Sequence, residues 1–198
     1  MVKLTPQDYK IMPWKNGRGQ TSEILIARPE EAFPHDFMWR ISCATVDRSG
    51  PFSLYPGYDR WLAIWQGDGL IFNGARVDPF TVVRFAGELA IDCGPAGSSV
   101  KDLGLIYLRS EIDAKMTVVR LQPGEFIDLQ NRASGGEVDV LFCASGDVHT
   151  STSDFQFNLK VEDCLHWDCG QKVTLTVAPD VRKECILFHM QVRKVLKT

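Results

Sequence analysis

Short apolar runs recur along the whole chain, and each is bounded by Gly, Pro, Asp or Asn. The runs are rich in Val, Ile, Phe, Leu and Trp, with a turn signal roughly every 8–12 positions, which is typical of a β-sandwich or β-barrel. Helical periodicity is scarce. The pattern therefore predicts a nearly all-β fold. The predicted strands are Ser22–Ala27, Trp39–Val46, Trp61–Trp65, Gly69–Phe72, Thr81–Phe85, Leu105–Leu108, Met116–Leu121, Glu125–Leu129, Val138–Cys143, Phe155–Leu159, Lys172–Val177 and Glu184–Val192.

Turn residues indicate how these strands are connected. Gln66-Gly67-Asp68-Gly69 and Asn73-Gly74 both predict hairpins, since such Gly-containing pairs suit tight β-turns. A Pro-Gly turn follows a strand at Pro56-Gly57 and again at Pro123-Gly124. This loose repeat predicts two related β-units, residues 1–110 and 111–198.

Composition and charge narrow the class of protein. Hydrophobic residues make up 44% of the chain and charged residues 24%, with a formal net charge of −3 and no clustering of Lys and Arg. A nucleic-acid partner is therefore not indicated. The polar start lacks the apolar region of a signal peptide, and no window approaches the ~18 apolar residues of a membrane-spanning helix. We expect a soluble, cytoplasmic protein without a membrane partner.

The cysteines predict buried, reduced thiols rather than a disulfide framework. They are widely spread, several lie in predicted strands, and a chain of this length does not need covalent staples. The C-x4-C spacing of Cys164 and Cys169 fits neither a zinc knuckle nor a thioredoxin-type motif. The six positions are Cys43, Cys93, Cys143, Cys164, Cys169 and Cys185.

The histidines do not suggest a metal site. His35, His149, His166 and His189 are isolated, without the H-x-H pair that a metal site of the germin type would need. A satisfied structural histidine is the expected role of His189 and His166, although a site assembled from distant ligands is a remaining alternative. We expect no metal and no cofactor.

The segment from Met12 to Ile24 is the least random part of the chain. Two glycines, at positions 17 and 19, allow a close approach of the backbone to a ligand. Lys15 supplies positive charge, Asn16 a two-way hydrogen-bonding amide and Trp14 a flat apolar wall, a set that suits a small carboxylate. The structural alternative is a solvent-exposed loop whose Asn-Gly only makes a turn. A phosphate loop is not indicated, because the G-x-x-x-x-G-K-[ST] spacing is missing.

The strand Trp39–Val46 carries a second candidate group. Its alternation places Arg40 and Ser42 on a face that becomes apolar towards Val46. An inward Arg must be paired or must face a water-filled cavity, because burying it alone is prohibitive. The structural interpretation is an Arg paired with a carboxylate at the barrel mouth, and the functional interpretation is a clamp for an anion.

A third candidate group follows the first Pro-Gly turn. Asp59 and Arg60 point to opposite faces of a starting strand, so one of them is expected to face inward. Asp59 is the candidate to neutralise Arg40, or to act as an acid or base if its pKa is raised.

With these segments in hand, the chain resembles the HutD/Ves family. Order and spacing match through about residue 87, and the second half matches weakly. The resemblance is carried by Pro13-Trp14-Lys15-Asn16-Gly17-x-Gly19-x-Thr21-x-Glu23-Ile24, Trp39-Arg40-x-Ser42-x-Ala44-x-Val46, Gly50-Pro51-Phe52-Ser53-x-x-Pro56-Gly57-x-Asp59-Arg60 and Gly67-x-Gly69-Leu70.

The resemblance implies an all-β, cupin-like double barrel (a bicupin) of two packed units, with the pocket in residues 1–110 and a second barrel in 111–198. It also implies a small-ligand protein that is linked, in the HutD branch, to control of histidine utilisation, with urocanate or another carboxylate as ligand. No established catalytic activity comes with the family. Carried over by position, the polar pocket uses Lys15, Asn16, Thr21, Glu23, Arg40, Ser42, Asp59 and Arg60, and Trp14 or Phe52 offers a ring on which the ligand stacks.

Three positions depart from the family pattern. Arg18 stands where the family usually has Gly, and Gly104 and Ile106 replace an Asn and a Met in a stretch that keeps its Asp and Arg, here Asp102 and Arg109. If that Asn touches the ligand in relatives, this protein binds something different.

Three functions stay open at this level, of which we favour the first. The first is a non-catalytic binder of an anionic metabolite. The second is a metal-free isomerase, lyase or hydrolase with Asp59 or Glu23 as general base and Arg40 or Lys15 stabilising an oxyanion. The third is a regulator that contacts another protein and uses the pocket as a sensor. A homodimer is one candidate for the assembly of this protein.

Overall fold

The computed structural model describes residues 1–13, 19–29, 37–130, 138–168 and 170–195. Over these residues the chain forms nineteen strands and one short 3-10 helix, Pro6–Asp8, which confirms the nearly all-β prediction. The described residues form no helix with the length and apolarity that crossing a membrane requires. The strands are β1 (Val2–Leu4), β2 (Lys10–Pro13), β3 (Gln20–Ala27), β4 (Trp39–Val46), β5 (Gly50–Pro51), β6 (Tyr58–Gln66), β7 (Leu70–Phe72), β8 (Ala75–Val77), β9 (Val82–Ala86), β10 (Asp92–Pro95), β11 (Val100–Leu108), β12 (Ile112–Leu121), β13 (Phe126–Gln130), β14 (Val138–Ser145), β15 (Val148–Ser151), β16 (Gln156–Leu159), β17 (Cys164–Asp168), β18 (Lys172–Thr176) and β19 (Cys185–Lys194).

The N-terminal unit comprises Tyr9–Asp113 together with Val195. It contains a six-stranded sheet, in the order β2-β3-β4-β11-β6-β9, and a four-stranded sheet, in the order β5-β10-β7-β8. Apolar side chains from both sheets pack into one core, because alternate residues of each strand point inward. This core consists of Val46, Leu62, Ile64, Leu70, Val77, Phe85, Ile91, Cys93 and Val100.

The C-terminal unit comprises Met1–Asp8 and Ala114–Lys194. It contains a five-stranded sheet, in the order β1-β17-β14-β19-β12, and a four-stranded sheet, in the order β13-β18-β15-β16. Its core includes Leu141, Leu165 and Leu187, all fully buried. The first strand differs from the predicted grouping, since β1 pairs with β17 at Val2 and His166 and so belongs to this unit.

The two predicted hairpins have different outcomes. Asn73-Gly74 joins the paired strands β7 and β8, and its φ values of 48° and 82° suit a tight hairpin turn. The hairpin predicted at Gln66–Gly69 is wrong, because β6 and β7 lie in different sheets. Gly69 is required there, since a Cβ atom would lie 2.6 Å from the carbonyl oxygen of Val77.

Candidate functional site

Three neighbouring rows of side chains on the six-stranded sheet face the interior of the N-terminal unit. Partners across an antiparallel pair share a face, and every second residue of a strand returns to it. The face is the inward one, because Leu62 and Ile64 on it belong to the core. The rows, read across β3, β4, β11 and β6, are the arginine row (Ile26, Arg40, Ile106 and Arg60), the glycine row (Glu23, Ser42, Gly104 and Leu62) and the aspartate row (Thr21, Ala44, Asp102 and Ile64).

Arg40 lies against aromatic rings at one end of the arginine row. Its guanidinium carbon is 5.0 Å from the ring centroid of Phe37 and 5.8 Å from that of Tyr55. Nη2 donates a hydrogen bond of 3.2 Å to the Tyr55 hydroxyl oxygen. The Nε atom is buried, and among the residues that the structure describes it has no hydrogen-bond partner. A buried donor of this kind is costly unless something accepts from it.

Arg60 lies in the same row, two strands away. Its guanidinium carbon is 4.6 Å from the ring centroid of Phe52, 5.7 Å from that of Tyr55 and 5.2 Å from that of Phe85. Nη1 donates to the Ser53 carbonyl oxygen at 3.2 Å. Burial lowers the pKa of Arg60 below its ordinary value because desolvation disfavours the charged form, and the charge of Asp102 acts in the opposite direction.

The two guanidinium groups together favour an anion. Within the described residues, neither is in an ion pair with a carboxylate, and their partners are aromatic rings and neutral oxygens. The charge of Arg40 also contributes to lowering the pKa of Arg60. Cation–π contacts hold the side chains in place while N–H donors remain for a ligand, and the guanidinium fork suits a carboxylate.

Two buried acids share this face with the arginines. Glu23 is 7% exposed and Asp102 is 5% exposed. Asp102 Oδ1 accepts a hydrogen bond of 3.0 Å from the Ala44 backbone N–H. Burial raises the pKa of Asp102 to about 7, although the Ala44 bond and the charge of Arg60 both lower it. A β-bulge between Glu23 and Leu25 interrupts the register of β3 and β4 beside this face.

The expected pairing of Asp59 with Arg40 is wrong. Asp59 lies on the opposite face of the six-stranded sheet, where its carboxylate oxygens are 2.7 Å from Arg84 Nη2 and 3.0 Å from Arg109 Nε. The hydroxyl of Tyr107 donates to the same carboxylate at 3.5 Å. Strand alternation permits only one of residues 59 and 60 to face inward, and the aromatic rings beneath Arg60 hold that side chain there.

The structure brings together part of the predicted set. Thr21, Glu23, Arg40, Ser42 and Arg60 share the three rows, and Phe52 lies under the Arg60 guanidinium. Trp14, Lys15 and Asn16, with the departure at Arg18, lie outside the described residues.

Sequence reasoning did not place Tyr55 and Asp102 in the site. Tyr55 stands in the turn before β6, and no strand pattern indicates which way its ring points. Asp102 was recognisable, because it lies two residues before Gly104 and therefore on the same face.

A metal or thiol centre is not found in the part of the chain that the structure describes. No three His, Cys, Asp or Glu side chains there are grouped to hold a metal ion. Four of the described cysteines are buried free thiols: Cys93, Cys143, Cys164 and Cys185. Burial raises the pKa of Cys143 to about 12, so that this thiol stays protonated at neutral pH.

The C-terminal unit has a cavity of about 420 Å³ that is lined by residues of β15, β18 and the loops beside them. Lys172 and Asp154 contribute its charged side chains, and Lys172 already forms an ion pair of 2.7 Å with Asp128. Screened surface pairs of this kind are weak. The arginine row is therefore the stronger candidate site.

A buried polar cluster in the C-terminal unit is centred on Asp139. Asp139, which is 1% exposed, lies 2.7 Å from His189 Nε2 and 3.2 Å from Arg193 Nη2. Gln191 also donates to Asp139 at 3.2 Å, and the ring of Trp167 is parallel to that of His189. The expected structural role of His189, as a hydrogen-bonded core histidine, is confirmed by these contacts.

Comparisons with known proteins identify relatives of this chain. The family model described as HutD matches residues 6–185. A relative from Pseudomonas putida, named as an uncharacterized 21.2 kDa protein in the hutC 3′ region, is 34% identical over 82% of this chain and 84% of its own length.

Solved structures similar to this chain include two from Pseudomonas. A conserved protein of unknown function from Pseudomonas aeruginosa PAO1 has a TM-score of 0.80 at 28% identity, over 98% of this chain and 99% of that one. HutD from Pseudomonas fluorescens SBW25, in a structure described as its formate condition, has a TM-score of 0.75 at 25% identity, over 97% and 98%.

A more distant likeness concerns the fold alone. A cupin 2 conserved barrel domain protein from Leptotrichia buccalis has a TM-score of 0.55 at 10% identity, over 87% of this chain and 88% of that one. The cupin-like fold class expected from the sequence is confirmed.

Proposed function

This chain belongs to the HutD family, and we propose that its N-terminal unit binds a small organic anion whose carboxylate lies between Arg40 and Arg60. One observation carries the proposal: two guanidinium groups face the same interior and, among the described residues, have rings and neutral oxygens rather than carboxylates as partners. A bound carboxylate supplies the missing charge and accepts from the buried Nε of Arg40.

The regulatory part of the proposal is supported by the relatives. The matching protein of Pseudomonas putida is named from its position near hutC, and one solved structure is named HutD. We propose that the anion is a metabolite of histidine utilisation or of related metabolism, urocanate being the first candidate, and that its binding regulates that metabolism. A flat conjugated acid suits an interior lined by Phe37, Tyr55 and Phe52.

Titration calorimetry tests the binding proposal directly. We expect the protein to bind acetate weakly and urocanate more tightly, and to bind acetamide not at all, because acetamide keeps the size of acetate but lacks its charge. Excess acetate is expected to displace urocanate, since both carboxylates use the arginine row. Equal heats from acetate and acetamide, or no binding of any carboxylate, would contradict the proposal.

The raised pKa of Asp102 supports a second candidate function, which is catalysis. A buried carboxyl group whose pKa is raised to about 7 has the property expected of a general acid or base. A metal-independent isomerase, lyase or hydrolase requires turnover that persists after treatment with a chelator and is lost in Asp102→Asn or Glu23→Gln. Stoichiometric binding without product in a metabolite panel would rule against it.

A further inference from the structure

Gly104 leaves space in the middle of the inward face. A Cβ atom added there would meet nothing closer than the Ser42 carbonyl oxygen at 3.8 Å and the Trp61 carbonyl oxygen at 4.0 Å. Glycine inside a strand weakens it and often marks close approach of a ligand. No packing contact requires glycine at this position, so the space beside Ser42 is the feature that the glycine provides.

Asp102 lies beyond Gly104 and is held in position by backbone contacts. Its Oδ1 accepts from the Ala44 N–H at 3.0 Å, and the Trp65 indole donates to the Asp102 carbonyl oxygen at 3.2 Å. Within the described residues, Oδ2 has no hydrogen bond. This oxygen, on a residue that is 5% exposed, is therefore able to accept a hydrogen bond from a donor.

The order of the rows gives the site a direction. Ile106, Gly104 and Asp102 follow one another at alternate positions of β11, so the arginine and aspartate rows are about 13 Å apart along the strand. Glu23, the second buried acid, lies in the glycine row. The inward face is therefore cationic at one end and acidic at the other, with room for an added Cβ atom at Gly104 between them.

We propose that the ligand is an elongated molecule with a carboxylate between Arg40 and Arg60, a body that crosses Gly104, and an N–H donor such as a protonated amine that binds Asp102. This inference rests on the proposed function, because the carboxylate anchors the ligand. The inference adds to the proposed ligand a second recognition group, the N–H donor, and a minimum length. It assigns Gly104 the role of leaving space for the body of the ligand.

Calorimetry with matched ligand pairs tests the second recognition group. The probes are ω-amino acids from 4-aminobutyrate to 8-aminooctanoate, each compared with the alkanoate that has a methyl group in place of the amine. At the best length we expect the amino acid to bind about tenfold or more tightly, which is the range of a hydrogen bond to a charged group. Asp102→Asn keeps the acceptor for Ala44 and is expected to abolish this preference. Asp59→Asn, on the opposite face of the same sheet, is expected to retain it.

The Gly104→Val variant tests the path of the ligand. We expect it to weaken the longer ω-amino acids about tenfold or more while acetate binds as before. Gly50→Val is the matched control, because a Cβ atom at Gly50 meets nothing within 4 Å and Gly50 lies on the small edge strand β5.

The outcomes separate the two proposals. Unchanged acetate binding in both site variants shows that they are folded and that the arginine row is intact. Absence of any amine preference in the unaltered protein, or its persistence in Asp102→Asn, overturns this inference and leaves anion binding standing. Failure of the unaltered protein to bind acetate or any longer carboxylate overturns both.

Discussion

Replacing both arginines of the arginine row by methionine is expected to abolish measurable binding of acetate and urocanate, and each single replacement is expected to weaken it about 10–100-fold. A hydrogen bond to a charged group contributes about 1.5–3 kcal/mol, and every 1.4 kcal/mol is a factor of ten in affinity. Methionine keeps an apolar stem for the rings of Phe52 and Phe85 to pack on.

The same variants are expected to stay folded. Since neither Arg40 nor Arg60 is in an ion pair within the described residues, their removal leaves no buried carboxylate unpaired. The loss of cation–π contacts, about 0.5–2 kcal/mol each, is opposed by relief of the desolvation cost of a partly buried charge. Urea unfolding of each variant measures the free energy of unfolding alongside the calorimetric affinity.

Arg84→Met is the matched control for this experiment. Arg84 lies on the opposite face of the same sheet and pairs with Asp59 at 2.7 Å. It is about half exposed, so its loss is expected to change stability by no more than about 1 kcal/mol and to leave ligand affinity unchanged. If Arg84→Met lowers affinity as much as Arg60→Met does, binding reflects net charge and not the arginine row.

Asp139→Ala is expected to lower the free energy of unfolding of the C-terminal unit by about 3–5 kcal/mol. The variant leaves the Arg193 guanidinium and the His189 imidazole without the carboxylate that both contact in a buried setting. It also removes the acceptor of the Gln191 amide. The measurement is urea unfolding followed by far-ultraviolet circular dichroism and by tryptophan fluorescence, because Trp167 lies beside this cluster and reports its loss.

Asp128→Ala provides the comparison within the same unit. Asp128 pairs with Lys172 at 2.7 Å, and both side chains are exposed, so that less than about 1 kcal/mol is expected. Similar losses for Asp128→Ala and Asp139→Ala would show that the buried cluster contributes no more than a surface ion pair.

The strand pattern predicted the inward face of β4 correctly. Arg40, Ser42 and Val46 alternate with apolar residues, and the end at Val46 is buried in the core as the sequence suggests. The alternation of side chains between the two faces of a strand is a local property, so the eight residues of β4 are enough to show it. The nearly all-β class was accessible for the same reason, since short strands and turns are encoded locally, whereas the cupin-like class came from the resemblance to a family.

The orientation of Asp59 and Arg60 could not be read from the same pattern. Both are charged and adjacent at the start of β6, so alternation requires opposite faces without choosing between them. The choice depends on Arg84 and Arg109, which lie far along the chain and meet Asp59 only in the folded sheet. Asp102 was overlooked because its burial is set by strands β4 and β6 on either side of β11.

The placement of β1 has a consequence for the order in which the chain acquires structure. Val2 pairs with His166, so β1 has no partner until β17, far along the chain, has been synthesised. Pairings of such long sequence separation raise the contact order and slow folding. During that interval Val2–Leu4 is an unpaired β-segment, and Lys3 supplies a charge that discourages premature edge-to-edge association before it reaches Asp163. The sheet of the C-terminal unit is thus completed only when β17 is available to β1, although β1 precedes the N-terminal unit in the chain.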